Sequence, residues 1–544
     1  MAVSALAAVA LSLPAAIGPA GPAASTTATT AAATTTTATT TTATTTTAGA
    51  GAGAGTWTVY HHDPAGSGLV TGVSAVDTGA RAWTSPALDG QLYGEPLVTG
   101  GRVYVATEND TVYALSVSTG AVVWSKHLAT PVPASDLPCG DIQPTVGITG
   151  TPVIDTARGE IFVVADEAVH GHPSHVLVGL NTASGATELT QDVDPAGADP
   201  AALLQRTGLT LTSGRVVFGF GGNYGDCSTY RGWVVGVDES GGTPVDFGVD
   251  TGAGQSQGAV WMGGAAPAVD ASGNVWVGVG NGSVTSASRP YDYSDSVLEL
   301  SPALQLEQYF APSSWPSDNA SDFDLSMAPA LLSDGQVVIA GKARIAYLLN
   351  GARLGGIGGQ KASLGSICRD DVDGGSAQVG SVVYLPCLSG IVAVRAGASP
   401  PSLRTVWSSG AGGGPPIVAA GLVWTIGQDG TLSGLDPSTG TVRQRATIGA
   451  PANHFPTPSI GDGLLLAPSA EHVVAFTASS SAASSTTGPA STTSVPQHSP
   501  ARSGHGSGLS TGAVAGIVVV VVAVVGGAAW LVWRRRRSRR LRDQ

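Results

Sequence analysis

The sequence is poor in charge. Only 12% of its 544 residues are Asp, Glu, Lys or Arg, about half the roughly 25% of an ordinary soluble domain. Lysine is confined to Lys126, Lys342 and Lys361. Residues 1–533 carry 18 Lys and Arg against 37 Asp and Glu. A surface of that sign repels phosphate, so nucleic acid is excluded as a partner. Cysteine is scarce, four residues with no two adjacent. The chain has no HExxH, no P-loop and no paired CxxC, which removes several common catalytic and nucleotide-binding signatures. What it has in abundance is Gly (76) and Pro (34). The glycines keep no three-residue period, so the chain is not collagenous, and its Val-, Leu- and Trp-rich segments exclude disorder over most of its length.

The two ends differ from the middle. Residues 2–17 are apolar and lead into Gly, Pro and Ala, a pattern expected of a secretory signal over 1–24, cleaved near Ala20 or Ala24. Residues 25–55 are almost pure Thr, Ala and Gly and are expected to form a disordered stalk. Residues 479–511 repeat that composition as a Ser/Thr/Gly/Pro linker. Residues 512–533 carry no charge, and a stretch of that length crosses a hydrocarbon core as one helix. Trp530 and Trp533 close the stretch, and Arg534 to Arg537, Arg539, Arg540 and Arg542 follow. Positive charge stays on the cytoplasmic side. The expected location is therefore a single-pass cell-membrane protein, with residues 56–478 outside and a basic tail, 534–544, inside.

Residues 57–479 repeat one unit eight times. Each copy has a short apolar run, often after a small residue and Pro, as in GEPLV (94–98), GTPVI (150–154) and GPPIV (414–418). A glycine then opens a second run, as in GRVYVAT (101–107) and GNVWVGV (273–279), where the tight turn between two strands needs it. A third run follows, such as TVYALSV (111–117), and a fourth comes after a Thr-Gly or Ser-Gly turn, such as GAVVW (120–124). β-branched residues in short runs with Gly-marked turns read as strands. Four strands repeated eight times predict an all-β, eight-bladed β-propeller made by one chain as a monomer. The eighth unit lacks a fourth run after Ala478, and the segment ending in Trp83 repeats the turn-then-Trp pattern of residues 119–124. The strand near Trp83 is thus expected to complete the last blade and leave no open sheet edge. Trp83, Trp124 and Trp407 are expected to pack between blades.

Function on such a scaffold sits in loops. The links between blades share a face with the turns between second and third strands. Around the channel mouth the links bring Tyr93, Asp141, Gln143, Gln257, Trp261, Asp322, Asp324, Asp371, Asp373 and His454. The turns bring Glu108, Asp110, Asp226, Asn281, Asp292, Lys342 and Asp429. The face is acidic with an aromatic ring near its centre, which suits a cation or a ligand held through one. Asp371-Val372-Asp373-Gly374 is a fragment of a calcium-loop pattern without the distal Glu, so Asp371 and Asp373 are the metal candidates. His170, His172 and His175 look like a metal cluster, but they are read as a solvated loop because Pro173 disturbs the spacing and no carboxylate is adjacent in sequence. The four cysteines fall on the mouth face, and an even count outside the cell suggests Cys139–Cys227 and Cys368–Cys387 bonds, one of three connectivities.

VYALSVSTGAVVW (112–124) and LSGLDPSTGTV (432–442) resemble pyrroloquinoline quinone (PQQ) repeats. GGNYGDCSTYRGWVVGVD (221–238), VWMGGAAPAVDASGNVWVGVGNG (260–282) and DSVLELSP (295–302) are similar to segments of PQQ-like propellers of the polyvinyl-alcohol dehydrogenase type. The resemblance covers roughly residues 57–478 and implies an eight-bladed propeller. It implies PQQ with Ca²⁺ as the cofactors of an alcohol oxidoreductase, with Trp261, Asn281 and Asp295 at the cofactor and Asp322 or Asp371 as base. The adjacent-cysteine ring and the CxxCH haem site of such enzymes are missing. Other propellers with this repeat act as scaffolds in envelope protein assembly. The preferred expectation is a binding scaffold at the cell envelope for a protein or glycan partner, anchored by the C-terminal helix, with no cofactor assured; the alternative is a PQQ- and calcium-dependent dehydrogenase.

Overall fold

The computed structural model describes residues 55–480. Eight blade sheets follow one another along the chain, six of four strands and two, the third and fourth, of five; the strands pair antiparallel except for Gly356–Ile357, which joins the edge of the fourth sheet in parallel. In the first blade the strands are Leu97–Thr99, Arg102–Ala106, Thr111–Ser116 and Val122–His127. The next six occupy residues 153–192, 210–248, 268–311, 330–365, 377–409 and 417–447. Hairpin chemistry sets the pattern: Gly100 and Gly101 join the first two strands with φ of 61° and 74°, the left-handed pair that a two-residue turn requires. The second and third strands of each blade are buried because a neighbouring sheet covers both faces. The fourth lies on the rim, and none of Val122–His127 is buried.

The eighth blade joins the two ends of the propeller. Its inner strands are Ser459–Gly461, Leu464–Ser469 and His472–Ser480, and its outermost strand is Val73–Thr84, antiparallel to His472–Ser480 with Trp83 opposite Ala475. This is the closure expected from the repeat pattern. The tryptophans pack between blades as expected. The indole N–H of Trp83 donates to the Val117 carbonyl at 2.7 Å, that of Trp124 to Thr182 at 3.0 Å and that of Trp407 to Pro437 at 2.9 Å. Each ring lies on a glycine of the next blade, Gly120, Gly185 or Gly440, all with φ near +70°.

One feature has no counterpart in the repeat. Residues 57–70 run past the innermost strands instead of joining a blade. Trp57 exchanges backbone hydrogen bonds with Val98 of the first blade, and the Thr58 carbonyl accepts from Ile154 of the second. The Pro64 carbonyl accepts from Val269 of the fourth, Ser67 from Gln378 of the sixth, and Gly68 from Val418 of the seventh. The segment therefore crosses the ring at its centre before reaching the rim. Trp57 is fully buried, and its indole N–H and the backbone N–H of His61 both donate to Glu95, at 3.1 and 2.9 Å.

Among the described residues no helix is long and apolar enough to cross a membrane, and the α-helix found there, Trp315–Ser321, has seven residues. The expected signal, the apolar run 512–533 and the basic tail lie outside the described residues, as do nearly all of the stalk and linker.

Candidate functional site

Trp261 lies in the link between blades three and four, and Phe455 in the link between blades seven and eight. Those links are four blades apart on an eight-bladed ring, yet the two rings have centroids 5.8 Å apart. They meet over the channel axis. Three further side chains extend this pair into a ladder. Lys342 holds its ammonium 5.4 Å from the Trp261 centroid. The Arg206 guanidinium lies 5.7 Å from Phe455 and 5.6 Å from Tyr93. Contacts of cations with ring faces at this range are favourable, by ~0.5–2 kcal/mol each. Asn453 fixes one end: its side-chain N–H donates to the Tyr93 carbonyl at 3.1 Å, while its oxygen accepts from the Phe455 backbone at 2.6 Å.

The carboxylates at this mouth are organised around Lys342. Its Nζ lies 2.5 Å from Asp324 and 3.2 Å from Asp322. Burial works against its charge, but Asp324 and Asp322 outweigh burial and hold it protonated. Asp322 caps the short helix in a left-handed conformation, φ 58°, and this turn delivers both carboxylates to the ammonium. Asp324 also accepts the backbone N–H of Asn281 at 2.6 Å. Asp373 is buried, with one oxygen unpartnered, and burial pushes its carboxyl up to about 7 against the pull of Lys342. Asp371 is half-buried, and burial raises it too.

The structure thus brings Trp261, Asn281, Asp322, Asp371 and Asp373 around Lys342. Asp295 is fully buried, with neither carboxylate oxygen hydrogen-bonded, and it senses Asp324 and Lys342 only through their fields. The cysteines pair as Cys139–Cys227 and Cys368–Cys387, which ties down two loops of this face.

The reading of the histidines as a solvated loop needs correction. His170 and His172 are exposed at a hairpin turn, but His175 is wholly buried in the third strand of blade two. Strands Glu160–Val169 and His172–Asn181 run longer than the repeat suggests, and their register sets His175 opposite Asp166. Nδ1 of His175 meets Asp194 at 2.7 Å, and Nε2 faces Asp166 at 3.6 Å. Two carboxylates therefore flank an imidazole that has none beside it in sequence.

Arg206, Phe455, Tyr60 and Glu95 escaped the sequence reading. Arg206 lies in the link between blades two and three, where no repeat pattern or acidic neighbour in sequence marks it. Tyr60 enters with the axial segment, its ring stacked on His61 at 4.3 Å and its hydroxyl accepting from Gly375 at 3.2 Å.

The residues present do not fit a calcium-held quinone in this arrangement. The carboxylates that would face a divalent cation already bind an ammonium. The Trp261 ring is met by Lys342 and Phe455. Among the described residues no three His, Cys, Asp or Glu side chains converge as a metal site.

Comparisons with known proteins agree with this architecture. Residues 35–289 match a family model described as outer membrane protein assembly factor BamB. The quinohemoprotein alcohol dehydrogenase of Pseudomonas putida HK5 is similar in fold, with a TM-score of 0.58 and 13% identity over 81% of this chain and 82% of that one. The quinohemoprotein alcohol dehydrogenase of Comamonas testosteroni gives 0.59 and 15%, over 78% and 81%. A europium-containing methanol dehydrogenase gives 0.56 and 14%, over 78% and 98%. No curated protein matches the chain. The family match covers just under half of the chain, and the solved structures show the fold alone, an eight-bladed β-propeller.

Proposed function

We propose that this PQQ-like propeller is a binding module of the cell envelope that presents its channel mouth to a ligand or partner. The observation that carries this reading is the compensation of Asp322 and Asp324 by Lys342 beside a Trp261 ring already faced by Phe455. This arrangement ties Asp322 and Asp324 into a fixed cluster with Lys342 and leaves a rigid aromatic surface beside it, the kind that recognises a ligand through fixed contacts. The apolar run 512–533 and the arginines after it support a membrane anchor, and the Thr- and Ser-rich segments support a spacer that holds the ring clear of the surface. A family model named for an envelope assembly factor is in keeping with a scaffold role.

The test is a titration of the protein with PQQ, with and without Ca²⁺, followed by tryptophan fluorescence, with a dye-reduction assay on simple alcohols alongside. The binding-module reading expects no saturable quenching at tens of micromolar, an affinity weaker than about −6 kcal/mol, and no dye reduction. Calcium-dependent quenching that disappears in Trp261→Ala, with alcohol-dependent dye reduction, would overturn it in favour of a quinoprotein dehydrogenase.

A further inference from the structure

Arg206 is a buried cation, 7% exposed, and its guanidinium has no hydrogen-bond or ion-pair partner among the described residues. Its contacts are the two rings of Tyr93 and Phe455. The contrast with the other cation of the ladder is sharp, since Lys342 has two carboxylates in direct contact. Burial makes that charge costly, while its nitrogens are not sealed off from water and so stay available to a ligand at the mouth. The position is nonetheless built for this side chain. Gly264, at φ +86°, leaves the space into which the guanidinium fits, and a Cβ there would overlap it. Asn453 fixes both flanking elements.

We infer that Arg206 anchors a carboxylate-binding site at the channel mouth, which takes a small monoanion with an apolar or aromatic body. The inference rests on the reading of this mouth as a binding face. A planar fork of donors matches a carboxylate in bidentate geometry. One unpaired positive charge calls for one negative charge. A dianion such as phosphate is disfavoured by Glu108 and Asp141, whose fields reach Arg206. Tyr93, Phe455 and Trp261 supply the wall against which the body of the ligand packs.

The experiment uses the full chain and three probes, benzoate, its neutral isostere benzamide, and inorganic phosphate, with binding read by calorimetry and tryptophan fluorescence. Benzoate should bind saturably and at least ~10-fold more tightly than benzamide or phosphate, a difference of about 1.4 kcal/mol. Arg206→Gln should abolish that preference, and Arg206→Lys should retain part of it. Arg206→Gln gives up both ring contacts, so its midpoint should fall by no more than those contacts are worth, and a cooperative melt shows that the variant is folded. Equal affinity for benzoate and benzamide in the parent, no benzoate binding at tens of millimolar, or unchanged preference in Arg206→Gln would overturn the inference. The PQQ titration on the same sample separates the two failures. Calcium-dependent PQQ binding removes the binding-module reading, whereas loss of benzoate discrimination without PQQ binding removes only the assignment of Arg206.

Discussion

The six-membered ring of Trp83 lies where a Cβ on Gly120 would sit, 2.5 Å from that position. The contact joins the outermost strand of the eighth blade to the first blade, so it is part of the closure of the ring. Gly120 serves it twice, by lacking a Cβ and by holding φ at +70°. Gly120→Ala must therefore displace the indole, loosen its hydrogen bond to Val117 and strain the turn. The expected loss is about 1–3 kcal/mol, read as a lower urea midpoint, with Gly185→Ala behaving alike at Trp124. A midpoint unchanged in both variants would mean that the tryptophan contacts do not hold the blades together.

Stability should fall as pH rises. Asp110 is fully buried with both oxygens unpartnered. Burial, reinforced by Asp166, Glu167, Glu108 and Asp89, pushes its carboxyl up to about 10. Asp250 is pushed up to about 9 by burial and then Asp292. A group with a raised folded pKa binds its proton more tightly in the native state. Its contribution is complete below the ordinary carboxylate range and is lost as pH climbs through the folded value. Each such proton costs about 1.4 kcal/mol per pH unit in between. The urea midpoint should therefore be higher at pH 5 than at pH 8. Asp110→Asn should flatten this slope and raise stability at pH 8 by about 1–3 kcal/mol, since Asn is at ease at φ 52°. A variant with the parent's slope would count against a buried, neutral Asp110.

Glu95 is the fastening point of the axial segment. It accepts from the Trp57 indole and the His61 backbone, and burial raises its pKa well above the usual range. Glu95→Gln keeps an oxygen acceptor and should cost little. Glu95→Ala leaves both donors stranded and should cost about 2–4 kcal/mol. Limited proteolysis should then cut between residues 57 and 70 before it cuts any blade. Equal resistance in Glu95→Ala and the parent would detach Glu95 from that role.

Much of the fold was legible because it is periodic. Glycine before an apolar run and tryptophan after a Thr-Gly turn recur in register with the blades, so blade number, the closing strand and the role of Trp83 follow from counting. The repeat assigns all four cysteines to one face, which suggests the disulfides but leaves three pairings open until the loops are placed. The misses are contacts that exist only once the ring has closed. Residues 57–70 show no strand alternation, and their partners are backbone groups of five different blades, which no side-chain pattern records. Arg206 and Phe455 are far apart in the chain and belong to opposite arcs of the ring. His175 and its carboxylates are joined by a register that depends on how far two strands extend beyond the repeat unit.

The axial segment also imposes an order of events. The residues that cross the centre and seal the last blade are among the earliest of the propeller to be synthesised, yet Val418 and the strand His472–Ser480 with which they pair are among the latest. Until then the Gly68 carbonyl lacks its donor, Val418, and the strand Val73–Thr84 lacks its partner, His472–Ser480. Completion of the ring is therefore a late, single event that requires both ends of the propeller. A chain released before residue 480 lacks part of the last pairing, so such a fragment would carry an unsealed sheet edge as its mark of incompleteness.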